Sequence, residues 1–168
     1  MLRRSYGYLP LCAFVFLAGC RWWSSEKKEA AVRNEGLKVV NVLDKSLYDD
    51  AHIKGSIQVN FEDVKDAVET WNKKDPVVFY CSNYQCQASF ESARQLKELG
   101  FENSMAFEGG MEEWYRLNQE GDASYQYEGP ATQDYLKIKI AKPEHMDTAV
   151  KIVSAPELKA MMQQEGLL

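Results

Sequence analysis

The residues whose types and spacing best suit chemistry are Cys81 and Cys86. They sit in the run Val77-Val78-Phe79-Tyr80-Cys81-Ser82-Asn83-Tyr84-Gln85-Cys86-Gln87-Ala88-Ser89. A thiolate is a nucleophile and a partner in disulfide exchange. A β-branched and aromatic run ends on Cys81, a polar loop follows, and a helical pattern then begins. Such a segment carries a thiol to the carboxyl edge of a sheet, where helix-start N–H groups stabilise an anion. Cys81 ends the strand and is the expected nucleophile, with Ser82, Asn83, Tyr84, Gln85 and Gln87 as the substrate loop around it. A strand-end cysteine alone could equally be core, but the polar loop after it argues against that.

Other chemistry is poorly supplied. The chain has two histidines, His52 and His145, too few beside a disulfide-prone cysteine pair for a metal site. Gly109-Gly110 belongs to a turn, not a nucleotide loop, so no cofactor is expected. Asp44 stands after the first strand, where it would face the site or cap the next helix. The net charge of −5 becomes more negative once Arg3 and Arg4 leave with a signal segment, which argues against nucleic acid as partner.

The positioning elements follow from hydrophobic patterning. Leu37 to Leu43 reads as a buried parallel strand, Asp44 to Ala51 as a polar turn or short helix, and Gln58 to Phe61 as a second strand. Phe61, Val64, Ala67, Val68 and Trp71 have helical spacing, ended by Asp75-Pro76. Val77 to Tyr80 is the third strand. Gln87 to Leu99 is a helix with Ser89 as N-cap, closed by Gly100 and Phe101. Met105 to Phe107 is a fourth strand, and Met111 to Leu117 begins another helix. Strands alternating with helices predict an α/β fold, a mostly parallel central sheet flanked by helices on both faces.

The N-terminus is read apart from the fold. Arg3 and Arg4 precede a short apolar stretch from Leu9 to Leu17, too short to span a bilayer. Leu17-Ala18-Gly19-Cys20 resembles the lipobox of bacterial lipoproteins. That resemblance implies a signal peptide over 1–19, acyl chains such as palmitate on Cys20, and a membrane anchor. Residues 20–36 then form a linker, with Trp22 and Trp23 suited to the membrane interface. The expected location is the cell envelope, on the periplasmic face, at the outer membrane if the host is Gram-negative. Cys12 leaves with the signal, so Cys81 and Cys86 are the free thiols of the mature chain, in a compartment where disulfides persist.

Across 37–121 the chain resembles the rhodanese-like domain. Val39-Val40-Asn41-Val42-Leu43 is similar to its opening strand, although the family usually has aspartate and arginine at Asn41 and Leu43. His52-Ile53-Lys54-Gly55-Ser56-Ile57, Val78-Phe79-Tyr80-Cys81, Leu96 to Phe101 and Phe107 to Trp114 match further family segments in order. The resemblance implies a sulfurtransferase: Cys81 takes sulfane sulfur from a small donor as a persulfide and gives it to a thiol acceptor. It also implies a structural role for His52. Two departures stand out. The loop is longer than in short family members, and residues 81–90 lack Arg and Lys, with Cys86 where many members have arginine. A dianion such as thiosulfate would find no charge-assisted partner there. Three readings of Cys86 remain side by side: a resolving thiol that frees sulfur from Cys81, half of a redox couple, or a structural cysteine. At the level of function, the alternatives are a non-catalytic binding module for a partner protein and a thiol–disulfide protein using Cys81 and Cys86.

Residues 122–168 form a C-terminal extension. Tyr135 to Ile140 alternates like a half-exposed strand. Val150 to Met162 resembles the usual opening of a rhodanese domain: a strand, a Ser cap, Pro at the first helical position and Glu in the first turn. The extension therefore completes the domain from its C-terminal side, begins a truncated second copy, or is a well-capped terminal helix.

Overall fold

The computed structural model describes residues 36–144 and 149–168. The signal-like stretch, Cys20, the linker up to residue 35 and His145 lie outside them. Strand β1 (Lys38–Asn41) leads into helix α1 (Lys45–Asp50) and the short strands β2 (His52–Ile53) and β3 (Ile57–Gln58). A 3-10 turn and helix α2 (Val64–Ala67) precede β4 (Val77–Tyr80). Helix α3 (Ala88–Glu98), strand β5 (Ser104–Phe107) and helix α4 (Gly110–Gln119) follow. The tail adds β6 (Tyr127–Glu128), a 3-10 turn over Asp134–Lys137, β7 (Lys151–Ile152) and helix α5 (Ala155–Gln164).

Five strands form one sheet in the order β3-β1-β4-β5-β7, and every pair in it is parallel. Because side chains alternate along a strand, a sheet covered on both sides needs apolar residues at successive positions. Val39, Val78, Tyr80, Met105 and Phe107 point to one face, where Met111 and Trp114 of α4 and Leu158 and Met162 of α5 cover them. Val40, Val77, Phe79 and Ala106 point to the other, against Val64 of α2 and Ala93 and Leu96 of α3. The fold is thus the α/β arrangement with both faces covered that the patterning predicts. β1 has β3 on one side and β4 on the other, so the chain changes direction beside the carboxyl end of β4.

The His52-to-Ile57 segment is structural. Tyr80, the residue before Cys81, is fully buried, and its hydroxyl accepts from Ile53 N–H at 3.0 Å and pairs with Ser56 Oγ at 2.8 Å. The His52 ring stacks on Tyr48 at 3.9 Å, and its Nδ1 lies 2.8 Å from the Tyr48 carbonyl oxygen. Asp44 caps α1, accepting from Leu47 N–H at 3.0 Å. Gly100, at φ 90°, ends α3 in the left-handed region, and Phe101 N–H bonds back to Leu96 O at 3.1 Å.

Three expectations about local structure are corrected. The helix expected over Phe61 to Trp71 is only a 3-10 turn and the four residues of α2. The chain turns after Val68, and Trp71 lies beside Lys38, whose ammonium is 5.7 Å from the ring centre and 2.9 Å from buried Asp75. That contact at the start of the sheet outweighs the helical spacing. Tyr135 to Ile140 is not a strand: a 3-10 turn over Asp134–Lys137 packs Leu136 into the core beside α4, and the chain beyond it is irregular, leaving Ile138 56% exposed. Ser89 is not the N-cap of α3; Gln87 holds that position without a side-chain bond, and Ser89 is buried in the first turn.

The tail enters the same sheet. Met105 pairs with Lys151 and Ala106 with Ile152, and Val153 N–H donates to Ala106 O at 2.9 Å. Ser154 and Glu157 form a capping box at the start of α5. Lys159 reaches Asp122 at 2.9 Å and lies over the Tyr125 ring at 4.2 Å. We take the tail as completing the domain. Leu158→Ala should then lower unfolding free energy by about 2–5 kcal/mol in a denaturant titration. Removal of residues 141–168 should abolish the cooperative thermal transition; an unchanged melting temperature would rule completion out.

Candidate active site

Cys81 leaves β4 at the carboxyl edge of the sheet, and the next residues are clamped by the start of α4. Met111 N–H donates to Cys81 O and Glu112 N–H to Ser82 O, both at 2.9 Å. This close approach requires Gly110, whose φ is 62° and where a Cβ would lie 2.6 Å from Cys81 O. The loop then turns tightly. Asn83 O accepts from Cys86 N–H at 3.0 Å, and the buried Asn83 side chain accepts from Gln85 N–H at 3.0 Å. Tyr84 leans away from the thiols and donates to Glu113 of α4 at 3.0 Å. Gln85 and Gln87 are exposed, and Ser82 is half-buried.

The turn brings the two cysteines together, both as free thiols, in unlike surroundings. Cys81 is fully buried. Its Sγ lies 3.1 Å from the Cys86 carbonyl oxygen, 3.5 Å from Ser89 Oγ and 4.0 Å from the Asn83 carbonyl oxygen. Cys86 is half-buried, just before α3. The Cys81 thiol, the Ala88 and Ser82 backbone and the Ser82 hydroxyl all favour its anion. Donors favour an anion, whereas carbonyl oxygens and burial favour the neutral thiol. The hydrogen bond to Cys86, with burial second, pushes the Cys81 thiol well above the usual range. The bond from Cys81, outweighing burial, brings Cys86 down to about 6. Cys81 is thus the proton donor of the pair and Cys86 the thiolate at neutral pH. The start of α3 adds the positive end of its dipole on the Cys86 side.

Glu112 is buried, with burial raising its carboxyl pKa against the lowering effect of Arg116, whose Nε is 3.2 Å away. Residue types and order made the strand–loop–helix segment recognisable, but the expectation that the polar loop keeps Cys81 out of the core is corrected: Cys81 is fully buried in the apolar cluster with Val42, Phe79 and Ala93, because the loop folds back over the end of β4. Three contributors went unseen. Ser89 shows only as a helix-start residue, Gly110 only as part of a turn, and the Tyr84–Glu113 bond spans 29 positions.

Fold and site together define a class: a parallel α/β domain presenting a thiol pair from a loop at the sheet's carboxyl edge. The family model described as the rhodanese-like domain matches residues 24–117, more than half of the chain, and the chain belongs to that family. The thiosulfate sulfurtransferase GlpE of Pseudomonas entomophila is 30% identical over 90 residues, 54% of this chain and 81% of that protein. The protein of the same name from Pseudomonas fluorescens strain SBW25 is 30% identical over 84 residues, 50% of this chain and 75% of that one. Among solved structures, the BH2092 protein of Bacillus halodurans is similar with a TM-score of 0.50 at 26% identity. The match covers 58% of this chain and 66% of that protein, just under two thirds of its length.

An ordinary thiol is mostly protonated at pH 7, whereas a pKa near 6 leaves Cys86 mostly ionised there. Alkylation of Cys86 by iodoacetamide, followed by peptide mapping, should therefore reach half its plateau rate near pH 6, while Cys81 stays unlabelled through pH 8. Gly110→Ala should push the loop off α4 and expose Cys81 to the same reagent at pH 8.

Proposed function

We propose that the chain is a rhodanese-type sulfurtransferase that takes sulfane sulfur from a small donor onto a cysteine of the Cys81–Cys86 loop and passes it to a thiol acceptor. The observation that carries this reading is the thiol pair at the carboxyl edge of the sheet, Cys81 at the end of β4 and half-buried Cys86 just before the start of α3. Membership of the rhodanese-like family and likeness to proteins named thiosulfate sulfurtransferase support it. The ionised sulfur attacks the outer sulfur of the donor, a new S–S bond forms, and the rest of the donor departs with the electron pair.

The donor is not thiosulfate in this reading. Residues 81–90 carry no Arg or Lys, and Arg116 of α4 is engaged by Glu112 and Glu120. A dianion would meet no charge-assisted partner in the loop. Organic persulfides, which carry a single charge, suit the site better. The Leu17-to-Cys20 stretch supports a lipid anchor on Cys20 that holds the domain at the periplasmic face of the envelope, at the outer membrane in a Gram-negative host. Among the described residues no helix is long and apolar enough to cross a membrane.

The single variants Cys81→Ser and Cys86→Ser test the transfer reading, since neither can discharge bound sulfur onto the other cysteine. After exposure to cysteine persulfide, at least one of them should gain one sulfur atom by intact mass, and the double variant none. Uptake by neither single variant would sink sulfur transfer and leave a binding module. Thiosulfate should load the same variant at least about tenfold more slowly, given the missing charge-assisted contacts.

A further inference from the structure

The two thiols of the loop are not equivalent, and their surroundings give them an order. Cys81 has no surface of its own, so a donor arriving from solvent cannot reach it without displacing the loop. A sulfur added to Cys81 would have to enter the space bounded by the carbonyl oxygens of Cys86 and Asn83 and by Ser89 Oγ, at 3.1, 4.0 and 3.5 Å. Two of these three neighbours can only accept hydrogen bonds, so a persulfide anion is disfavoured there. Cys86 is half-buried, flanked by the exposed Gln85 and Gln87, and stands just before the first turn of α3, whose dipole favours an anion. The Asn83-to-Cys86 turn leaves Cys81 Sγ 3.1 Å from the Cys86 carbonyl oxygen, so the two cysteines are neighbours across the turn.

We propose, building on the sulfur-transfer reading above, that Cys86 receives the sulfane sulfur and that Cys81 is the second thiol, which attacks Cys86 Sγ and releases the sulfur as hydrosulfide.

In the first step the Cys86 thiolate takes the outer sulfur of a persulfide RS–SH, forming Cys86–S–SH and releasing RS⁻. Cys86–S–SH then loses its proton to solvent, since a persulfide is more acidic than a thiol. In the second, Cys81–SH and Cys86–S–S⁻ give the Cys81–Cys86 disulfide and HS⁻. The bond from Cys86 Sγ to the outer sulfur breaks, and the new bond forms from Cys81 Sγ to Cys86 Sγ. The outer sulfur takes the electron pair and the Cys81 proton, and is reduced from sulfane to sulfide while the two cysteine sulfurs are oxidised. A dithiol reductant resets the pair through a mixed disulfide. Reduction of the sulfane sulfur at the expense of a dithiol then competes with its transfer to a thiol acceptor, and Cys81 decides between the two.

The full chain, reduced and held under argon, is mixed with cysteine persulfide generated in solution, and disulfide, persulfide and hydrosulfide are followed in time. Wild type should become two hydrogens lighter, with a disulfide joining Cys81 and Cys86 on peptide mapping and about one hydrosulfide released per chain. Cys81→Ser should stop with one extra sulfur on Cys86 and no disulfide. Cys86→Ser should load Cys81 at least about tenfold more slowly than Cys81→Ser loads Cys86, because exposure and thiolate fraction both fall. Cys81→Ala provides a second variant should the serine hydroxyl disturb the buried position, and circular dichroism checks that each variant is folded. Loading of Cys81 in Cys86→Ser at the rate of the other variant, or a stable persulfide without disulfide in wild type, overturns the assigned order and leaves sulfur transfer standing. Failure of both single variants to take up sulfur overturns the order and the transfer reading together.

Discussion

The loop rests on one close backbone approach, that of Gly110 to Cys81 and Ser82. At the start of α4, N–H groups that would otherwise lack partners point at the carbonyl groups of the loop, so each set satisfies the other. The 2.6 Å that a Cβ would leave to Cys81 O makes this a contact between two backbones. With its first carbonyls tied down, the loop must turn within a few residues, and the Asn83-to-Cys86 turn folds Cys86 back toward the strand end. The hydrogen bonds that hold the loop also place the Cys81 sulfur among carbonyl oxygens and leave Cys86 half-buried just before α3.

The clamp works only if α4 and β4 are themselves rigid. β4 is the middle strand of the five, with every residue buried, and Tyr80 is tied through its hydroxyl to Ile53 and Ser56. α4 is held by Met111 and Trp114 in the core, and the Trp114 indole donates to Gln126 O at 2.9 Å. The tail shares this face: Leu158 and Met162 of α5 lie in the same apolar cluster as Met111 and Trp114. The far end of the chain therefore bears on the site through packing, without touching the cysteines.

Burial and polarity divide the thiol pair more sharply than any charged residue does. No cation stands within the loop, and the nearest guanidinium of α4, Arg116, is engaged by Glu112 and Glu120 at 3.2 and 3.0 Å. Stabilisation of an anion falls to fixed dipoles, which are geometric and cannot be recognised from residue types. Such a site tolerates a singly charged sulfur species better than a dianion, which agrees with the absence of Arg and Lys from the loop.

Residue types and their order were enough for the covered parallel sheet, the strand-to-helix thiol loop, the Gly100 cap and the Ser154 box, because each depends on neighbours within a few positions. Val77 to Tyr80 reads as a strand from its own side chains, and it is one. The sequence by itself also located both thiols and the missing loop charge. It did not determine which thiol is the better anion, since that depends on the depth at which each sulfur is buried and on the carbonyl oxygens that face Cys81. Nor did it place β7 at the sheet edge, turn Ser89 toward Cys81, or break the Tyr135-to-Ile140 alternation. Those outcomes depend on contacts between residues far apart in the chain, whose energies no local pattern encodes, and only the tertiary structure decided them.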